Sequence, residues 1–237
     1  MYLTGGQPAR GSELGVVKFQ NTNLTLRNFY VLNGEGFYST EYHKARASTN
    51  YSFYIVRYLP DRLTELVLLY IAYIRPFARM LYSHGKKNVP DLGYLFCSNS
   101  SPDKPWNGEL LSEILQAESE ARLNARLNLW SARRILIAIT KVHVKEITGH
   151  FAKDNRAWRD VLMNNPDFNI FAWQAGHQQS TNVAIYGLDA AFPGRLQPEL
   201  MEQYRRISRL WHRWLGILGD DGKAEIEQIM TPRKKRK

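Results

Sequence analysis

Residues 28–43 read NFYVLNGEGFYSTEYH, and this stretch decides the fold class. Two runs rich in aromatic and β-branched residues, Asn28–Leu32 and Phe37–His43, flank Asn33-Gly34-Glu35-Gly36. Asn-Gly between such runs signals a β-hairpin, because the turn whose twist matches the strands needs positive φ at both central residues. A third run of the same character, Ser52–Tyr58, predicts a third strand.

Working outward, Pro60-Asp61 ends the sheet and opens a long helix to about Leu81, with Leu63, Leu66, Val67, Tyr70 and Ile74 at helical spacing. Upstream, Gly5-Gly6-Gln7-Pro8 is a turn and Arg10–Phe19 a short helix. Downstream, Gly85–Trp106 is polar and rich in Pro, Ser and Asn, and reads as a loop. Helices follow over Glu109–Ala121 and Leu129–Phe151. Asp154–Phe168 reads as a polar insertion, Ile170–Ala175 and Pro198–Leu218 as helices, and Pro193-Gly194 as a break between the last two. The expected fold is α+β, mainly α, with helices around a small antiparallel three-stranded sheet. One domain is expected over residues 1–219, with loops or insertions near 85–106 and 154–168, followed by a basic tail over 220–237.

The chain has 237 residues, 44% hydrophobic and 23% charged, which suits a sizeable packed core and excludes disorder as the main state. Its net charge of +10 favours a polyanionic partner, either nucleic acid or an anionic membrane surface. The longest apolar stretch, Leu66–Ile74, is far short of the roughly 20 residues of a membrane helix. Gly5, Gly6, Gln7 and Arg10 stand where a signal peptide would place its apolar region. The lone Cys97 excludes an intrachain disulfide and a Cys-rich metal site, and fits a reducing compartment. His143 and His150 lie seven apart with no third ligand placed to join them, so they read as surface or packing residues. No metal and no cofactor are expected.

Four short patterns carry chemistry. In Thr4-Gly5-Gly6-Gln7-Pro8-Ala9-Arg10-Gly11-Ser12-Glu13-Leu14, an arginine in the first turn of a helix presents its planar fork to a phosphate. Glu13, three residues on, shares its helical face and holds it. Lys44 follows the second strand in Tyr42-His43-Lys44-Ala45-Arg46, ahead of Val56-Arg57-Tyr58-Leu59-Pro60. Trp130-Ser131-Ala132-Arg133 opens a helix, with Arg134 a one-residue alternative to Arg133. Finally, Gly176-His177 is followed nine positions later by Ile185-Tyr186.

In this order the patterns resemble the catalytic domain of the tyrosine recombinases and phage integrases, over roughly Leu3 to Ala191. The stretches LTGGQPARGSEL and RRILIAI are most similar to fungal recombinase-like domains related to Crypton transposons and found in helicase-associated proteins. The resemblance implies DNA strand breakage and rejoining through a 3′-phosphotyrosine intermediate, as in site-specific recombination or transposon integration and excision. Tyr186 would be the nucleophile, Arg10, Arg133 and His177 the phosphate ligands, and Lys44 the general acid on a hairpin. It further implies double-stranded DNA as partner, a homo-oligomer on DNA through a docked C-terminal helix, and a nuclear location.

The departure is Trp130, which stands where the family has the histidine of His-x-x-Arg. An indole donates one hydrogen bond and accepts no proton, so a general base is missing there. Only nine residues precede Arg10, where family members carry a DNA-clamping domain, so a fragment or a relic is an open expectation. A catalytically degenerate integrase-like DNA-binding module is therefore the alternative, and an RNA-binding or structural helical protein whose motifs match by chance a second. Arg46, Arg205, Arg206 and Arg209 are candidate contacts to the DNA backbone. Residues 203–214 also read as an amphipathic helix packing Ile207, Leu210, Trp211 and Trp214 on the core. Lys234-Lys235-Arg236-Lys237 reads as a nuclear localisation or DNA-affinity patch.

Overall fold

The computed structural model describes residues 1–42, 53–84, 90–144, 170–172, 174–175 and 198–219. The expected hairpin is present. Strands β1 (Phe29–Leu32), β2 (Glu35–Tyr42) and β3 (Phe53–Tyr58) form an antiparallel sheet in that order. Asn33 and Gly34 carry φ of 52° and 82°, so both central residues of the turn occupy the left-handed region that an Asn-Gly pair tolerates. The register sets Phe29 opposite Tyr38 and Phe37 opposite Tyr58.

Helix α1 (Gly11–Gly15) precedes the sheet. It is shorter than the expected Arg10–Phe19, because the following residues go to strand-like contacts. Lys18 bridges Tyr94, and its carbonyl accepts from the amides of Asn28 and Phe29. After the sheet run α2 (Asp61–Leu69), one wide π turn (Tyr70–Ile74) and α3 (Arg75–Ser83). The expected single helix is thus interrupted at a proline. Pro76 has no N–H to donate backwards and its ring crowds the preceding turn, which the wider turn relieves.

The same helical track corrects the expected core face. Thr64, Val67 and Arg75 are buried, whereas Leu66, Leu69, Tyr73, Ile74, Phe77 and Met80 are exposed. Thr64 faces inward because its Oγ1 accepts from the Gly36 amide (3.1 Å), at a point where a Cβ on Gly36 would come within 2.7 Å of that oxygen. Arg75 faces inward to meet Asp91 at 2.8 Å and the Tyr94 carbonyl at 2.8 Å.

Within 90–106, expected as loop, lies a two-stranded hairpin, β4 (Cys97–Ser98) with β5 (Ser101–Pro105). Its residues, Ser-Pro-Asp-Lys-Pro, show no apolar alternation; main-chain pairing holds it, together with Arg75 Nη2 donating to Cys97 Sγ at 3.3 Å and Phe96 packing on Trp106. Helices α4 (Gly108–Leu123) and α5 (Leu129–His143) start where Asn107 and Asn128 cap them, each side chain accepting from the amide three residues on at 2.8 Å. A helical turn over residues 170–172 and α6 (Pro198–Trp214) complete the described part.

Two buried clusters hold these elements. Phe37, Ile55, Val56 and Tyr58 pack with Ile137, Ile170, Phe171 and the α6 residues Met201, Tyr204, Ile207, Leu210 and Trp211. Phe29 and Tyr38 pack with Ala9, Leu14, Val17, Leu59, Val67 and Leu95. Trp214, expected in the core, is 42% exposed and stacks on Trp211 with ring centroids 5.1 Å apart. Among the described residues no helix is long and apolar enough to cross a membrane. The result is a mixed α+β protein with one small three-stranded sheet, as the sequence predicts at that level.

Candidate functional site

The turn at residues 4–7 is gripped from three sides. Gly6 has φ +96°, and a Cβ there would come within 2.6 Å of the Gln174 Oε1 and 3.0 Å of the Ser208 Oγ. Only glycine satisfies both the backbone and the close approach. The Gln7 amide donates to Gln174 Oε1 (3.2 Å), and Gln7 Nε2 donates to Thr140 Oγ1 on α5 (2.8 Å). The imidazole Nε2 of His212 lies 2.6 Å from the Thr4 carbonyl, and the Trp211 indole donates to the Leu3 carbonyl at 3.0 Å. Burial pushes the His212 imidazole down to about 3, against the opposing pull of that carbonyl.

At the centre of this network lies Arg57, 1% exposed. Its Nε donates to the Gln7 carbonyl (2.7 Å), Nη1 to Thr40 Oγ1 (2.8 Å) and Nη2 to the Gln174 carbonyl (2.7 Å). A single planar guanidinium thereby ties the N-terminal turn, the sheet and the segment 174–175 together, through donors set in a fixed fork.

From that anchored turn the chain enters α1. Arg10 occupies the N-cap position; its amide donates to Glu13 Oε2 (3.0 Å), and its Nε lies 3.8 Å from Glu13 Oε1. Gly11 allows the start of α1 to press on two other helix starts, since a Cβ there would stand 2.8 Å from Leu129 Cδ1 and 3.2 Å from the Gly108 Cα. Arg10 is thereby brought beside the first turns of α5.

Arg133, in the second turn of α5, donates from Nη2 to the Ala175 carbonyl at 2.5 Å. Burial lowers the proton affinity of its guanidinium; the neighbouring charges of Arg10 and Arg57 lower it further, and Glu13 opposes them. Tyr2 donates to the Leu129 carbonyl at 2.5 Å, closing the same corner. Trp130 stands in the first turn of α5, 66% exposed, with the Arg134 guanidinium 4.5 Å from its ring centroid.

Of the expected site residues, Arg10, Glu13 and Arg133 therefore come together around the starts of α1 and α5, and Trp130 and Arg134 pair with each other on the exposed side of α5. They belong to sequence segments more than 100 residues apart. Lys44, Arg46, His177 and Tyr186 lie outside the described residues; so do His150 and the basic tail. Ala175, which holds Arg133, is two positions before His177 in the sequence.

Arg205 and Arg209 are placed elsewhere. Both ion-pair with Glu35 at the hairpin turn, and Arg209 also lies 3.4 Å from Asp61. With Leu32, Tyr58 and Glu202 they line a cleft of about 410 Å3. These two cations brace α6 against the sheet, and Arg206 beside them is half-buried. Arg209 is buried and its charge is answered within the fold, which sets both apart from the Arg10–Arg133 corner as candidates for a DNA backbone.

Sequence reasoning gave no role to Gln7, Arg57, Gln174 or His212. A signal existed for Arg57: it is the one charged residue in the run Tyr54-Ile55-Val56-Arg57-Tyr58-Leu59. Among the described residues no group of His, Cys, Asp and Glu is arranged to hold a metal ion. No known family model matches the chain, and no solved structure matches it.

Proposed function

We propose that this domain binds a DNA phosphate between Arg10 and Arg133 and cuts and rejoins the strand through Tyr186. The observation that carries this reading is the convergence of Arg10, Glu13 and Arg133 on one half-buried corner, with Arg133 held by the carbonyl of Ala175 just before the His177–Tyr186 segment. Burial and the like charges of Arg10 and Arg57 disfavour the Arg133 cation while Glu13 favours it, and a bound phosphodiester would add a further counter-charge.

In this reading the Tyr186 hydroxyl oxygen attacks phosphorus, and the bond from phosphorus to the 5′ oxygen breaks. Lys44 gives its proton to that leaving oxygen. Arg10, Arg133 and His177 stabilise the charge on the non-bridging oxygens, usually the largest electrostatic contribution to such a step. Glu13 orients Arg10. The 3′-phosphotyrosine conserves the energy of the phosphodiester, so a 5′ hydroxyl can later displace Tyr186. Trp130 accepts no proton, and the phenolic proton passes to water. Double-stranded DNA as partner, a homo-oligomer on it and a nuclear location belong to the same proposal.

The exposed Trp130 at the histidine position favours a second reading, in which the phosphate-binding corner is retained and turnover lost. A nicked duplex that traps covalent intermediates separates the two. A protein–DNA adduct that disappears with Tyr186→Phe supports the cutting reading. Binding without an adduct, with a salt slope that falls by about one charge in Arg10→Ala, supports the binding module. Neither adduct nor binding overturns both.

A further inference from the structure

The geometry points to Trp130 and Arg134 as a stacking platform for an unpaired nucleobase next to the phosphate held by Arg10 and Arg133. It rests on the DNA-binding reading above and extends it from the phosphate to the base. Trp130 is the large aromatic of this corner that is left mostly in water, 66% exposed. Other tryptophans of the described residues are engaged: Trp211 is buried and donates to the Leu3 carbonyl, and Trp106 packs on Phe96 with centroids 6.1 Å apart.

The indole is held by its backbone rather than by burial. Asn128 caps the helix start through the Ser131 amide at 2.8 Å. The Leu129 amide donates to Ser112 Oγ at 3.3 Å, and the Leu129 carbonyl accepts from Tyr2. Arg134, four residues on, lies along the same helical face and brings its guanidinium to the ring. Arg133 is three residues from Trp130, within one helical turn, and turns toward Ala175.

A nucleotide carries its phosphate and its base on either side of one sugar. The corner offers the matching pair: cations for the phosphate, and one helical turn away a cation-backed π surface for the base. Within a continuous duplex each base is already stacked on both faces. The platform therefore selects DNA in which a base is unpaired, as at a bulge, gap or nick with a frayed end.

The test uses the full chain and two otherwise identical duplexes, one fully paired and one with a single bulged 2-aminopurine, at fixed salt. Affinity is read by anisotropy, and stacking by quenching of the 2-aminopurine. The bulged duplex should bind at least about tenfold tighter, with its fluorescence quenched, and Trp130→Ala should collapse that ratio to within about threefold. Trp130→Phe, which keeps an aromatic face, should retain most of the preference. If Trp130→Ala keeps both the preference and the quenching, or if the protein shows no preference while Arg10→Ala and Arg133→Ala still weaken binding, the platform is wrong and the phosphate reading stands. If neither duplex binds, both fall.

Discussion

Replacing Arg57 with methionine removes three hydrogen bonds at once and tests whether this side chain organises the N-terminal turn. The bonds run to the Gln7 carbonyl, Thr40 Oγ1 and the Gln174 carbonyl at 2.7, 2.8 and 2.7 Å, all inside a site with 1% exposure. At about 1.5–3 kcal/mol for each bond from a charged donor, the gross loss is roughly 4.5–9 kcal/mol. Methionine fills much of the volume and no longer carries a buried charge, which offsets part of that loss. The acceptors left behind are buried and lose their partner, so a net destabilisation of about 4 kcal/mol is expected. With a urea slope of about 2.5 kcal/mol per M, the unfolding midpoint falls by about 1.5 M. Urea titration followed by far-UV circular dichroism and by intrinsic fluorescence measures this. Arg57→Lys should recover little, because one ammonium cannot reach three acceptors on three segments. A midpoint shift below about 0.3 M, roughly under 1 kcal/mol, would refute the assignment of Arg57 as the tie between these segments.

The buried His212 makes stability depend on pH. Its folded value is depressed to about 3 by burial, whereas the unfolded chain titrates near 6.5. Above about 6.5 both states are neutral there and the contribution is whole. As pH falls from about 6.5 toward 3 the unfolded state alone takes up the proton, and stability drops by roughly 1.4 kcal/mol per unit from this group. His212→Gln should flatten that slope relative to the native chain in urea midpoints measured between pH 7 and 4.5; equal slopes would refute the assignment. Tyr38 presents the opposite case, a fully buried hydroxyl with no hydrogen-bond partner among the described residues. Tyr38→Phe is expected to be neutral or stabilising by up to about 1 kcal/mol in thermal denaturation, and a loss above that would mean the hydroxyl has a partner.

The hairpin was legible because its signal is local: Asn33-Gly34 supplies the turn, and the aromatic runs on either side supply the pairing. The Arg10–Glu13 pair was legible for the same reason, three residues apart on a helix start. What failed to show depends on partners distant in sequence. Thr64 faces inward because Gly36 approaches it, and Arg75 because Asp91 receives it, so the apolar period of Leu66 and Ile74 misled. The β4–β5 hairpin carries no apolar alternation and is held by main-chain bonds and by Arg75, which reaches Cys97 from a distant helix. Gln7 and Gln174 look like ordinary polar residues until the fold sets them 3.2 Å apart.

The arginines of this protein divide by what answers their charge, and that division is the strongest physical reason to look for a ligand at Arg133. Arg75 meets Asp91, and Arg205 and Arg209 meet Glu35, so each of these guanidiniums faces a carboxylate within the fold. Arg57 meets two carbonyls and a hydroxyl, which satisfy its N–H groups but leave its charge uncompensated at close range. Arg133 likewise donates to a carbonyl, and it feels Arg10 and Arg57 as like charges with Glu13 as the counterweight. The bracing arginines would lose stability if an anion drew them away from their carboxylates. At the Arg10–Arg133 corner one carboxylate, Glu13, serves both guanidiniums, so an added negative charge there would further stabilise the Arg133 cation without drawing it from a carboxylate of its own. Since Arg57 ties the turn that leads to Arg10 to the segment that holds Arg133, the same hydrogen-bond network that stabilises the domain joins the two segments from which the proposed phosphate site is built.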